Sequence, residues 1–143
     1  MKSNATAVWT GGLKDGKGTI TAATGSFRDT PYDFGKRFEG ASTPGTTPEE
    51  LIAAAHSACF SMAFSAELGK AGFTPERITT RATVTLEPVD GKPTVSASHL
   101  EMRAKIPGIT PAKFAEIANG AKAGCPISRL LHTSITLDAA LDS

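Results

Sequence analysis

Residues 47–68, TPEELIAAAHSACFSMAFSAEL, decide how this chain is read. Thr47 is an N-cap residue, Pro48 fits the first helical position, and Glu50 stands where a capping box places its acid. Glu49 and Glu50 also suit the positive end of a helix dipole. From there to about Leu68 the segment is apolar on nearly every side, which predicts a long central helix buried all round. Gly72 is its stop signal. A chain of 143 residues makes one domain, 1–143, with little sheet and helix to enclose such a segment. A second subunit is expected to help cover it.

Before this helix, Ala5 to Thr10 and Thr19 to Thr24 flank a Gly- and Lys-rich connection and read as a hairpin. Short extended pieces are expected through Phe27 and from Lys36 to Glu39, and Gly40 to Thr47 is a loop. After the helix, Ile78 to Leu86 alternates as a half-buried strand. Thr94 to Ile106 alternates with a phase shift, which predicts a bulge near Ser98–His99. Thr110 and Pro111 open a second helix, with Phe114, Ile117, Ala118 and Ala121 at helical spacing and Gly124 at its end. Cys125 and Pro126 open a short third helix, and Ile135, Leu137, Ala139 and Leu141 mark a last strand. Strands and helices are grouped rather than strictly alternating, so the fold class is α+β.

The formal net charge is +1 with acids and bases mixed along the chain, without the basic stripe of a nucleic-acid binder. The N-terminal residues lack the apolar core of a signal peptide. The apolar run Leu51–Ala66 is interrupted by His56, Ser57, Ser61 and Ser65 and falls short of the roughly 20 residues of a membrane span. A cytoplasmic protein is expected. In that compartment paired thiols are more often catalytic or metal-binding than structural disulfides.

The chain has two cysteines. Cys59 lies about three turns into the long helix, and Cys125 stands where a loop turns into a helix. Peroxide chemistry needs a thiolate, a cation to hold it, and a second thiol that converts sulfenic acid into a recoverable disulfide. At a helix start, unpaired N–H groups favour an anion, which points that help at Cys125. Cys59 in an apolar helix is disfavoured as an anion unless a cation is brought to it. His56, three residues earlier, and Arg37, in FGKRFEG, are the candidates. Residue types alone leave open which thiol attacks. Two plainer readings stand beside this one. Both thiols can be inert core residues, with His56 a satisfied core histidine. Alternatively His56, Cys59, Cys125 and His132 can hold zinc, although the tight knuckle spacing of such sites is absent.

The stretch RFEGASTPGTTPEELIAAAHSACFSMAFSAELGKAGFTP, followed by AKAGCPIS and ITLDA, resembles the OsmC/Ohr family of osmotically inducible and organic hydroperoxide resistance proteins. The resemblance runs over nearly the whole chain. It implies an OsmC-like fold and an intertwined homodimer with active sites at the subunit interface. It further implies a thiol peroxidase that reduces organic hydroperoxides better than hydrogen peroxide, is recycled by an external dithiol of the dihydrolipoyl type, and needs no metal, flavin or haem. By the family pattern Cys59 is the peroxidatic cysteine, Cys125 the resolving one, Arg37 the activating arginine and Glu49 the acid that holds it. The early hairpin, Gly11-Gly12-Leu13-Lys14-Asp15-Gly16, lacks the arginine usual in Ohr proteins, which favours the OsmC branch. On a continuous helix Glu49 and Cys59 would lie about 15 Å apart along its axis. The Arg37–Glu49 pair is therefore expected to serve Cys59 of the other subunit. Phe60, Met62 and Phe64 are candidates to line an entry for alkyl groups, with core packing as the competing explanation.

Overall fold

The computed structural model describes all 143 residues, Met1–Ser143. Its contacts group into two compact units, Met1–Leu51 and Ile52–Ser143.

The first unit is an antiparallel sheet of β1 (Ala5–Thr10), β2 (Lys17–Ala22) and β3 (Thr30–Tyr32), followed by a short helix α1 (Phe34–Phe38). The expected hairpin is β1–β2, with Ala5 opposite Ala22 and Thr10 opposite Lys17. Gly18 sits between Trp9 and Tyr32 in register. A Cβ there would lie 2.3 Å from the Tyr32 ring, so only glycine lets the two rings meet, at 5.4 Å between centroids. Two expectations need correction here. Phe27 lies in a bend and the third strand begins at Thr30, while Lys36–Glu39 is not extended. Asp33 reverses that second reading: its carboxylate accepts the Lys36 N–H at 2.8 Å and caps α1.

The long helix is α2 (Pro48–Lys70). Thr47 Oγ1 accepts the Glu50 N–H at 3.0 Å, as a cap should. The Glu50 carboxylate takes the Thr46 hydroxyl rather than reaching back to the cap, so the box is only half formed. At the other end Gly72 has φ +84°, and the Phe73 N–H donates to the Leu68 carbonyl at 2.9 Å, closing the helix. With 23 residues, α2 is long and apolar enough by length and composition to cross a membrane, a correction to the shorter span read between Leu51 and Ala66. The capped helix simply starts before and ends after the apolar run.

The second unit contains β4 (Arg77–Val89), β5 (Lys92–Lys105), α3 (Pro111–Gly124), α4 (Pro126–Leu130) and β6 (Ser134–Asp142). β4 and β5 pair antiparallel around Asp90–Gly91, both at positive φ. β6 joins β5 in parallel, as a crossover through α3 and α4 permits. The bulge falls at Ser96, not at Ser98–His99: Thr85 pairs with Ala97 and Leu86 with Val95. Ser98 is fully buried in phase with Leu100, Met102 and Ala104, so the inward phase already begins at Ser98 and the shift lies before it.

The core joins Phe60, Phe64 and Leu68 of α2 to Leu100 and Met102 of β5 and to Phe114 and Ile117 of α3. Phe64 stacks on Phe60 and meets Phe114 edge-on, with centroids 6.1 and 5.8 Å apart. With His56 these α2 residues recur every four positions and form one buried stripe. The opposite side, Ala54, Ala55, Ala58, Met62, Ser65 and Ala66, is exposed, Met62 at 76%. Within one chain, therefore, the helix is not buried all round. Its unit offers one three-stranded sheet and α3, enough to cover a single stripe.

Phe64 is fully buried among aromatic partners, so Phe64→Ala should cost about 3–5 kcal/mol. Urea unfolding of variant and wild type measures it; a loss below about 1 kcal/mol would mean this core is not the one that holds the unit.

Candidate active site

Cys125 is the joint between two helices. Its N–H donates to the Ala121 carbonyl at 2.9 Å and closes α3, while its own backbone, at φ −54° and ψ 128°, serves as the N-cap of α4 with Pro126 next. Proline at the first helical position lacks a donor the helix would leave unpaired anyway, so the joint is sharp. It turns the Cys125 side chain fully inward. There its sulfur stands 3.0 Å from Cys59 Sγ, and both cysteines are free thiols. A disulfide needs about 2.05 Å between sulfurs, so an approach of roughly 1 Å would join them.

Burial pushes the Cys59 thiol above its ordinary 9.0, and contact with Cys125 pushes the same way. The Ile127 backbone N–H, in the first turn of α4, acts against both. A helix-start amide thus reaches Cys59, a contribution the sequence did not point to. No cation is among the groups that set the Cys59 equilibrium.

His56 is fully buried one turn before Cys59. Its Nδ1 is 2.7 Å from Ser98 Oγ on β5 and its Nε2 is 2.8 Å from Ser128 Oγ on α4. Both ring nitrogens are engaged, which fits the core-histidine reading and leaves neither for a metal. No three His, Cys, Asp or Glu side chains converge to form a metal site. His132 is not drawn into the cluster.

The first unit holds the other pair. Arg37 Nε donates to Glu49 Oε1 and Oε2 at 3.1 and 3.3 Å, and Nη2 donates to Oε1 at 2.7 Å. Such a forked contact fixes the plane of the guanidinium as well as its position. Glu49 is buried, whereas the Arg37 side chain keeps 36% of its surface exposed. Arg37 also lies 5.0 Å from the centre of the Phe38 ring. The structure therefore brings the four predicted residues together as two pairs, Cys59 with Cys125 and Arg37 with Glu49.

Two features were not read from the sequence. Asp33 caps the helix that carries Arg37, also takes Lys17 Nζ at 3.0 Å, and is held below the usual carboxylate range by the Lys36 N–H and then Lys17. The D-x-x-K pattern of a cap was there, but a five-residue helix gives no periodicity to go with it. The second is a cavity of about 300 Å³ beside Arg37, lined by Trp9, Leu13, Tyr32, Phe34, Phe38 and Pro48 among others. Phe60 and Phe64 line no entry: both are fully buried in the core, while Met62 lies on the exposed face of α2.

The arrangement is thus a partly buried thiol in contact with a buried one, both free. The chain belongs to the OsmC-like protein family, whose model matches residues 39–140. It is 49% identical over 137 residues to Peroxiredoxin OsmC of Escherichia coli (strain K12), covering 96% of this chain and 94% of that protein. The same figures hold for Peroxiredoxin OsmC of Shigella flexneri. Among solved structures, an OsmC-like protein of unknown function from Vibrio cholerae O1 biovar eltor has a TM-score of 0.77 at 18% identity, covering 97% of this chain and 99% of that one. An organic hydroperoxide resistance protein from Elizabethkingia anophelis has a TM-score of 0.72 at 24% identity, covering 100% and 98%. These two likenesses establish the OsmC-like fold.

Burial holds the His56 imidazole below its ordinary 6.5. As pH falls through 6.5 the unfolded chain takes up this proton while the folded one resists. The contribution to stability is therefore complete above 6.5 and is lost as pH falls toward the folded value. Urea midpoints between pH 7.5 and pH 5 should fall more steeply for wild type than for His56→Gln; parallel curves would contradict this.

Proposed function

We propose that this chain reduces organic hydroperoxides, with hydrogen peroxide a poorer substrate, through a Cys59 sulfenic acid and a Cys59–Cys125 disulfide. The chain is a peroxidase, and the observation that carries this mechanism is the 3.0 Å contact between its two free thiols. Cys59 is the attacking sulfur because it is the less buried of the two and receives the α4 amide. Its thiolate attacks the terminal peroxide oxygen, the O–O bond breaks, and the alkoxide leaves as an alcohol after taking a proton. Cys125 then attacks the sulfenic sulfur, forming the disulfide and releasing water. An external dithiol of the dihydrolipoyl type restores both thiols and is itself oxidised to a disulfide.

The charge that Cys59 lacks is assigned to Arg37, with Glu49 fixing its orientation. The ten-residue helical spacing from Glu49 to Cys59 is the reason to assign that arginine to the thiol of a second copy. The exposed apolar side of α2 supports the same homodimer, in which units 1–51 and 52–143 act as one OsmC-like domain over 1–143. The aromatic cavity beside Arg37 is a fitting seat for the alkyl part of a hydroperoxide. The reading places the enzyme in the cytoplasm, without nucleic-acid or membrane partners.

Cys59→Ala should abolish hydroperoxide consumption. Arg37→Ala should lower its rate about 100-fold or more, the scale of removing one preorganised charge. Cys125→Ser should keep the first attack on peroxide but recycle weakly, with Cys59 driven to the sulfinate under excess peroxide. Steady-state assays with a dithiol donor decide among these outcomes; full activity in Arg37→Ala would remove the arginine from the mechanism.

A further inference from the structure

The stretch from Cys125 to Leu131 has to place a sulfur within reach of another, yet it has little to hold it. α4 has five residues and no side-chain hydrogen bond at its N-cap. A helix that short has almost no stability of its own and takes its position from what it touches. Ile127 packs on the core from one side. The polar anchor is Ser128, three residues after Cys125, whose hydroxyl is 2.8 Å from His56 Nε2. His56 is in turn three residues before Cys59 and is braced from behind by Ser98 on the central strand, at 2.7 Å from Nδ1. α2 and α4 are thus bridged twice, by His56–Ser128 and by Cys59–Cys125. All three members of the polar bridge are buried, so leaving one unpaired is costly.

We infer that His56, acting through Ser128, is a positioning residue for the resolving step: it holds α4 so that Cys125 captures the Cys59 sulfenic acid before a second peroxide does. This rests on the two-thiol reading above. The competition is between two balanced reactions. In one, the Cys125 thiol attacks the sulfenic sulfur, an S–S bond forms, the S–O bond breaks and water leaves. In the other, the sulfenate attacks a second hydroperoxide, gains an oxygen to become a sulfinate and releases an alcohol. The first attack on peroxide involves neither His56 nor Ser128, because both ring nitrogens face serines rather than sulfur. The bridge therefore governs the partition of the intermediate and leaves the rate of its formation unchanged.

The test uses reduced full-length protein mixed with cumene hydroperoxide in excess. Thiol loss at Cys59 is followed by rapid alkylation quench, and the products are read by intact mass as disulfide or as two added oxygens. Ser128→Ala should lose the Cys59 thiol at the wild-type rate but show about a fivefold larger sulfinate-to-disulfide ratio, the scale of one net hydrogen bond. Ser128→Thr, which keeps the hydroxyl, should restore the wild-type ratio, and His56→Asn, which removes the reach to Ser128, should match Ser128→Ala. An unchanged ratio in Ser128→Ala, with wild type forming its disulfide normally, would overturn this inference alone. A first step slowed in parallel with the second would also overturn it, since His56 would then act in peroxide attack. If wild type itself forms no disulfide, the two-thiol reading fails and this inference with it.

Discussion

A sulfur that attacks a peroxide must carry a charge, and Cys59 sits where charge is disfavoured. Burial on α2 beside a second buried thiol favours the neutral form, and a single amide at the start of α4 opposes it. That conflict organises the rest of the account. The Arg37–Glu49 contact holds a guanidinium in a fixed plane, and the proposed function assigns that charge to Cys59 of a second copy. The acid that holds it is itself buried. A floppy surface arginine would point its charge at water most of the time, whereas a forked contact to Glu49 holds it in one orientation.

The same economy of structure shows in the helix that carries the thiol. α2 uses His56, Phe60, Phe64 and Leu68 to pack its own unit and leaves Ala54, Ala55, Ala58 and Met62 in the open. An apolar face of that kind is expensive to hydrate along so long a helix. Small side chains on it allow close approach of another surface. Cys59 thus lies on an element that one chain covers on one side only.

The sequence was a good guide wherever a decision is local. Thr47–Pro48, Thr110–Pro111 and Cys125–Pro126 each pair a cap or turn residue with a proline, and each begins a helix. Cys59 and Cys125 stood out for the same reason, as thiols in contexts that a short motif defines. What escaped was decided by partners far along the chain. The buried partner of Ser98, His56, is 42 residues away, so the sequence around Ser98 could not show that it faces the core, and the bulge lies at Ser96 rather than near Ser98–His99. α1 escaped because one aspartate cap outweighs the extended preference of a Phe-rich pentapeptide. The amide that reaches Cys59 belongs to Ile127, and no spacing rule links the two. The uncovered face of α2 was legible only as an excess of apolar residues, not as a choice of which side stays open.

The central claim is that Cys59 and Cys125 act on a hydroperoxide as one two-electron unit. Intact mass of the reduced, metal-free protein after one equivalent of cumene hydroperoxide tests it most directly. The account predicts rapid loss of two hydrogens, and on digestion a peptide pair joined through Cys59 and Cys125. An unchanged mass with both thiols still open to alkylation would contradict it and return both cysteines to the role of inert core residues.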